Sequence, residues 1–217
     1  MNVLDHLILL CERDAPEADA LVDLGLTEGR SNTHPGQGTA NRRFFFQNAY
    51  LEFLWVHDEI EARSEMARTT QLWERWAGRR VDACPFGVVL RRSSESAPPP
   101  FSLRAYRPAY LPPGMTLDVA DGVPLTEPAV FFLGFIGPRG TAQSAALSHR
   151  PGLECITRVT IDTPVSGSRS EAMKWLEASA VLSLRPADRW LMTVAFDNHR
   201  AGASADLRPA LPLLLEW

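Results

Sequence analysis

Two polar side chains interrupt runs that are otherwise apolar: His6 in LDHLILL, residues 4–10, and Glu52 in YLEFLW, residues 50–55. An imidazole and a carboxylate together suit a divalent metal with positions left open for substrate oxygens, and a carboxylate can also exchange protons with a bound molecule. Strand alternation places His6 on one face with Leu4, Ile8 and Leu10, and Glu52 on one face with Tyr50, Leu54 and Val56. Leu51, Phe53 and Trp55 occupy the opposite face, so both sides are apolar and Glu52 is expected to be buried. A buried carboxylate without a partner is costly or takes up a proton, so such a residue usually faces an Arg, a His or a metal. His6 is the natural partner. Structural roles compete with this one: an ion pair of Glu52 with Arg42 or Arg43, and a core His6 bonded to a backbone carbonyl.

A second candidate is the loop HPGQGTAN, residues 34–41. Gly36 and Gly38 allow close backbone approach to a ligand, and His34 and Asn41 offer hydrogen bonds to a carbonyl or carboxylate. A plain turn, with Asn41 stabilising its own bend, accounts for the same residues. The loop is not a nucleotide fingerprint, because it lacks a third glycine and leads into a strand where a pyrophosphate site needs a helix N-terminus. No nucleotide cofactor is expected. Cys11, Cys84 and Cys155 are widely spaced with no CxxC pair, which argues for buried free thiols rather than a disulfide framework or a zinc site. His57 and Asp58 read as a helix cap, and Asp197, Asn198 and His199 as a polar turn.

The 217 residues are 45% hydrophobic and 22% charged, enough for a sizeable core. With 22 basic against 26 acidic residues and no long Lys/Arg cluster, neither nucleic acid nor an anionic membrane is an expected partner; a small molecule is. The start MNVLDHLILLCERD lacks the basic opening of a signal peptide. The longest apolar stretch, AVFFLGFIG at 129–137, falls far short of the roughly 20 residues of a membrane helix. A cytoplasmic protein is expected.

The elements that must position these residues follow from periodicity. NVLDHLILL reads as a strand, and RDAPEADALVDLGL as a helix with Asp14 as N-cap and Gly25 as its end. A Gly-rich loop with room for a short strand around residues 27–30 follows, and then RRFFFQN and YLEFLWV form a hairpin. A helix over residues 58–78, with Asp58 and Glu61 as a capping pair, should cross the outside of the sheet. CPFGVVLRR and AVFFLGFIG are further strands, separated by the extended, Pro-rich SAPPPF and RPAYLPPG; the latter suits a cavity lid or a docking strip. From residue 153 a strand, a helix with a Ser168–Glu171 capping box and a meander recur, which predicts two similar halves facing each other.

The opening LDHLIL, the helix ending in LGL, the loop HPGQGTAN and the strand YLEFLW, in that order, resemble the glyoxalase-like branch of the vicinal oxygen chelate superfamily, which includes glyoxalase I, extradiol dioxygenases and bleomycin-resistance proteins. The resemblance covers residues 3–56 well and the remainder through the repeated unit. It implies an α+β fold of paired β-α-β-β-β modules forming a curved, partly open sheet around a cavity, with a first module over residues 1–82 and a divergent second half over 83–217. It further implies His6 and Glu52 as ligands of a divalent metal (Zn, Fe, Mn or Ni), Glu52 as catalytic, and His34, Asn41 and Tyr50 as substrate-binding residues. The implied activity is metal-dependent lyase, isomerase or dioxygenase chemistry on a small, partly apolar molecule; the alternative is non-catalytic sequestration of the bleomycin-resistance type. Pairing into a homodimer is also implied. The second half departs from this pattern: CPFGVVLRR offers no ligand but Cys84 and AVFFLGFIG none. With the unit from 153 as partner, the counterpart of His6 falls near Thr157 or Arg158, and only Glu216 echoes Glu52. Completing a metal site would take water, His34, His149 or another subunit; otherwise no metal binds.

Overall fold

The computed structural model describes residues 3–92, 98–134 and 147–217. Strand β1 (Val3–Leu10) leads to helix α1 (Asp19–Leu24), which ends at Gly25, where a φ of 101° returns the N–H to the carbonyls of Leu21 and Val22. Asp14 is not the expected cap: it adopts a φ of 66°, and a 3-10 turn over Pro16–Ala18 starts the helix instead. The short strand β2 (Asn32–His34) lies a little beyond residues 27–30, and β3 (Thr39–Phe45) and β4 (Tyr50–Val56) form the expected hairpin.

The helix expected over 58–78 is broken. Asp58 caps α2 (Glu59–Ala62) by accepting the Glu61 N–H at 3.0 Å, a 3-10 turn follows over Ala67–Thr70, and α3 (Leu72–Gly78) begins after Gln71, whose φ is 54°. The break lets α3 fold onto the inner face of the sheet rather than the outer one, where Leu72 packs with Ile8, Leu10 and Leu54.

Strands β5 (Phe86–Arg91), β6 (Leu103–Tyr106), β7 (Leu117–Ala120) and β8 (Ala129–Leu133) repeat the first topology. In each module the first and last strands pair in parallel and the remaining two extend outward antiparallel; β1 and β5 join the modules at the centre, giving the order β2-β3-β4-β1-β5-β8-β7-β6. The result is the expected α+β architecture, a curled open half-barrel. Of AVFFLGFIG, residues 135–137 lie outside the described residues.

The unit after residue 153 does not face the first module as a second half. Strand β9 (Ile156–Thr163), α4 (Glu171–Ala178), β10 (Ser183–Pro186), β11 (Leu191–Phe196), β12 (Ser204–Asp206) and β13 (Leu213–Glu216) form a separate sheet, ordered β10-β9-β11-β13-β12. Here the strands flanking the helix, β9 and β10, are parallel neighbours, whereas β3 and β4 lie between β1 and β2. A similar string of elements has folded differently. Ser170, not Ser168, caps α4, accepting the Met173 N–H at 3.3 Å.

This second sheet covers the convex side of the first: Val159, Ile161, Met192, Val194 and Leu213 share one core with Leu7, Leu9, Phe44, Phe53, Val88 and Phe132. Burial of that apolar area drives the association, at about 25 cal/mol per Å². The central strands are therefore buried on both faces, which is why they read as continuous apolar runs. Arg75 on α3, 1% exposed, donates to the carbonyls of Val123, Pro124, Leu125 and Glu127 and so pins the β7–β8 connection. No helix among the described residues is long and apolar enough to cross a membrane.

Candidate functional site

Alternation along β1 and β4 sends His6 and Ile8, Glu52 and Leu54 to the concave face, and the parallel register sets His6 beside Tyr50 and Ile8 beside Glu52. A cavity of about 280 Å³ opens there. The first module supplies the charged side chains of the lining, His6, Arg43 and Glu52, with His34, Asn41 and Tyr50 and the apolar Ile8 and Leu54; the strands of the second supply only apolar ones, Val89, Leu117, Phe131 and Leu133. His6, His34, Asn41, Tyr50 and Glu52 therefore line one cavity.

The partner of Glu52 is His6, whose Nε2 stands 3.3 Å from a Glu52 oxygen; the Asn41 amide donates to the other oxygen. The second ring nitrogen of His6 meets Asp5 at 2.7 Å, and Asp5 in turn lies 3.6 Å from Arg91. Tyr50 stacks on the imidazole with centroids 4.2 Å apart. Burial opposes the charge on His6, but hydrogen bonds to Asp5 and Glu52 and their negative charges outweigh it and raise the pKa to about 9. Burial likewise opposes the Glu52 carboxylate, yet the hydrogen bond and charge of His6, aided by His34 and Asn41, hold its pKa near 2. Arg91, Asp5, His6 and Glu52 thus form a line of alternating charge, of which His6 and Glu52 reach the cavity.

The competing structural partners are engaged with other groups. Arg42 pairs with Glu28 at 2.6 Å and Asp19 at 2.7 Å, and the Arg43 Nε donates to the Arg30 carbonyl at 2.8 Å. His149 is tied at both nitrogens, accepting from the Thr27 N–H at 3.0 Å and donating to the Phe45 carbonyl at 2.8 Å. Glu216 faces His199 at 3.3 Å in the second sheet. Of these residues Arg43 alone also lines the cavity.

Asp5, Gln37 and Tyr110 were not singled out from the sequence. A register irregularity between Leu4 and His6 brings Asp5 against the His6 ring, and plain alternation hides it. Tyr110 and Leu111 of RPAYLPPG line the cavity, and the Tyr110 hydroxyl donates to Gln37 at 3.0 Å.

The residues present do not by themselves fit a metal held by three or four protein ligands. Among the described residues no group of three or more His, Cys, Asp or Glu is placed to hold one. The reason lies in the second module. Its parallel ladder begins at Gly87 and Ala129 where the first begins at His6 and Tyr50, so Gly87 stands in the place of His6 and Phe131 in that of Glu52. A Cβ at Gly87 would already be 3.2 Å from the Ile8 side chain, which occupies the space a ligand would need.

Residues 4–94 match the model of the glyoxalase-like domain family, which lies in the vicinal oxygen chelate superfamily. A hypothetical protein from Staphylococcus aureus is similar in structure, with a TM-score of 0.56 at 12% identity over 100% of this chain and 99% of its own. That likeness shows the fold, both sheets included. A hypothetical protein from Bacillus halodurans C-125 aligns over 64% of this chain and 99% of its own, at 13% identity and a TM-score of 0.40. No curated protein matches the sequence.

Proposed function

We propose that this glyoxalase-like protein binds a small amphipathic organic molecule in the cavity, engaging its polar end with Glu52 and the first-module wall and its apolar end with the second. The observation that carries this reading is the division of the lining between the modules, a polar wall with a buried carboxylate facing Val89, Leu117, Phe131 and Leu133. Apolar cavities with a few convergent polar groups are the usual form of small-molecule sites. Glu52 is held ionised and keeps lone pairs free beyond those met by His6 and Asn41, so it can accept from a ligand donor.

Metal content tests the proposal against a metal-dependent lyase, isomerase or dioxygenase. Elemental analysis of protein loaded in turn with Zn, Fe, Mn and Ni is expected to show no stoichiometric metal that depends on His6. Near-stoichiometric metal, lost in His6→Ala, would replace ligand binding alone by metal-dependent chemistry at His6 and Glu52.

A further inference from the structure

His34, at the end of β2, is 9% exposed and lines the cavity. Its Nδ1 lies 2.9 Å from the Thr39 hydroxyl; the Gln37 amide nitrogen donates to that same hydroxyl at 2.7 Å, and the Tyr110 hydroxyl donates to the Gln37 oxygen at 3.0 Å. The direction of one bond settles the others. Gln37 uses its oxygen to accept from Tyr110, so its nitrogen faces Thr39; the Thr39 oxygen receives that proton and gives its own to the remaining neighbour, His34 Nδ1. The imidazole therefore carries its proton on Nε2. Burial lowers the pKa of His34 and favours this neutral ring. No described residue partners Nε2.

The cavity thus presents an unspent donor, His34 Nε2–H, and an acceptor, the Glu52 carboxylate. Charged heads fit this pair poorly. An anion would stand against the Glu52 carboxylate, and a cation would find that carboxylate already paired with His6 at 3.3 Å; Arg43, which also lines the cavity, turns its Nε and one Nη to the Arg30 carbonyl. Resting on the reading of this cavity as a ligand site, we infer that its occupant is an uncharged molecule carrying a donor beside a carbonyl-type acceptor, on a branched or cyclic apolar body. His34 donates to the acceptor and Glu52 accepts from the donor. Gln37, Thr39 and Tyr110 are positioning residues that fix the tautomer of His34.

Four probes sharing an isobutyl body separate the possibilities: isovaleramide, isovalerate, isoamylamine and methyl isobutyl ketone. Binding is followed by saturation-transfer NMR and by the ring resonances of nitrogen-labelled histidine in the full-length protein. The expected result is an unprotonated His34 Nδ1, with isovaleramide bound roughly tenfold more tightly than any other probe, the scale of one hydrogen bond. Tighter binding of isovalerate, isoamylamine or the ketone would overturn the ligand class and leave the cavity reading standing. Failure of all four to bind would overturn the cavity reading and the inference with it. In Gln37→Glu a carboxylate accepts from both Tyr110 and Thr39, so the proton is expected to move to His34 Nδ1 and the amide preference to shrink. Thr39→Val, which removes the relay without changing volume, serves if Gln37→Glu does not fold. An Nδ1 that is protonated in the wild type, or unprotonated in the folded variant, would overturn the relay.

Discussion

The two modules of the curled sheet share strand order, direction and register, yet they present opposite chemistries to one cavity. The first places a charged pair where its opening and closing strands lie side by side. At the related positions the second places Gly87, against which Ile8 packs, and Phe131, which is 1% exposed. The difference shows that the repeat preserves backbone geometry rather than function. One wall retains desolvated charge, which costs stability unless each charge is paired, as His6 and Glu52 are; the other buries apolar side chains, which stabilises without that cost.

The comparison breaks first at Phe131. If the second wall carries stability, Phe131→Ala should destabilise the protein by about 3–5 kcal/mol, the usual cost of emptying a buried aromatic site. Denaturant unfolding measures this. A loss below about 1 kcal/mol would mean that the apolar wall is slack and that the contrast between the modules is one of composition alone.

Glu52→Gln probes the opposite wall and should cost less, about 1–3 kcal/mol, because Asp5 remains to partner His6. The pH profile is more specific than the magnitude. His6, raised to about 9 from 6.5, contributes stability fully below 6.5 and loses it as pH rises through 9. Glu52, lowered to about 2 from 4.5, contributes above 4.5 and loses it as pH falls through 2. Wild-type stability should therefore be highest between 4.5 and 6.5 and decline toward 9, and Glu52→Gln should flatten that alkaline decline. Thermal melts across this range give the answer. Identical alkaline slopes in the two proteins would mean that Glu52 does not hold the His6 proton.

Much of the polar wall was legible in the sequence, for a physical reason. A polar residue inside a run buried on both faces has to be explained by a partner, and alternation then says which face it takes; His6 and Glu52 were found in this way, and the structure sets them 3.3 Å apart. What escaped depends on departures from regularity. Asp5 joins the site through a register shift, α3 reaches the inner face through the left-handed Gln71, and Tyr110 arrives on a Pro-rich strap without periodicity. The second module was obscured because Pro-rich sequence flanks the short β6, while the unit after 153 has the more visible string of strand and helix. Which strands become neighbours is decided by long-range pairing, and that is why the similar string folded into a different sheet.

The smallest effect is expected at Tyr110, where the second module reaches across to the polar wall of the first. Tyr110→Phe keeps the ring against His34, whose centroid is 4.8 Å away, and removes only the hydrogen bond to Gln37. Stability should fall by about 1 kcal/mol or less, the net worth of one such bond. The consequence for recognition should be larger than that figure suggests, since Gln37 is then free to turn its oxygen toward Thr39. Thr39 would donate to Gln37, His34 would hold its proton on Nδ1 for part of the time, and the preference for isovaleramide over methyl isobutyl ketone should narrow. Melting temperature and the same histidine resonances read both quantities on one sample. A loss of 3 kcal/mol or more would make the strap a structural brace. An unchanged preference with an unchanged ring would show that the two walls act independently, and that the polar wall orients His34 without help from the apolar one.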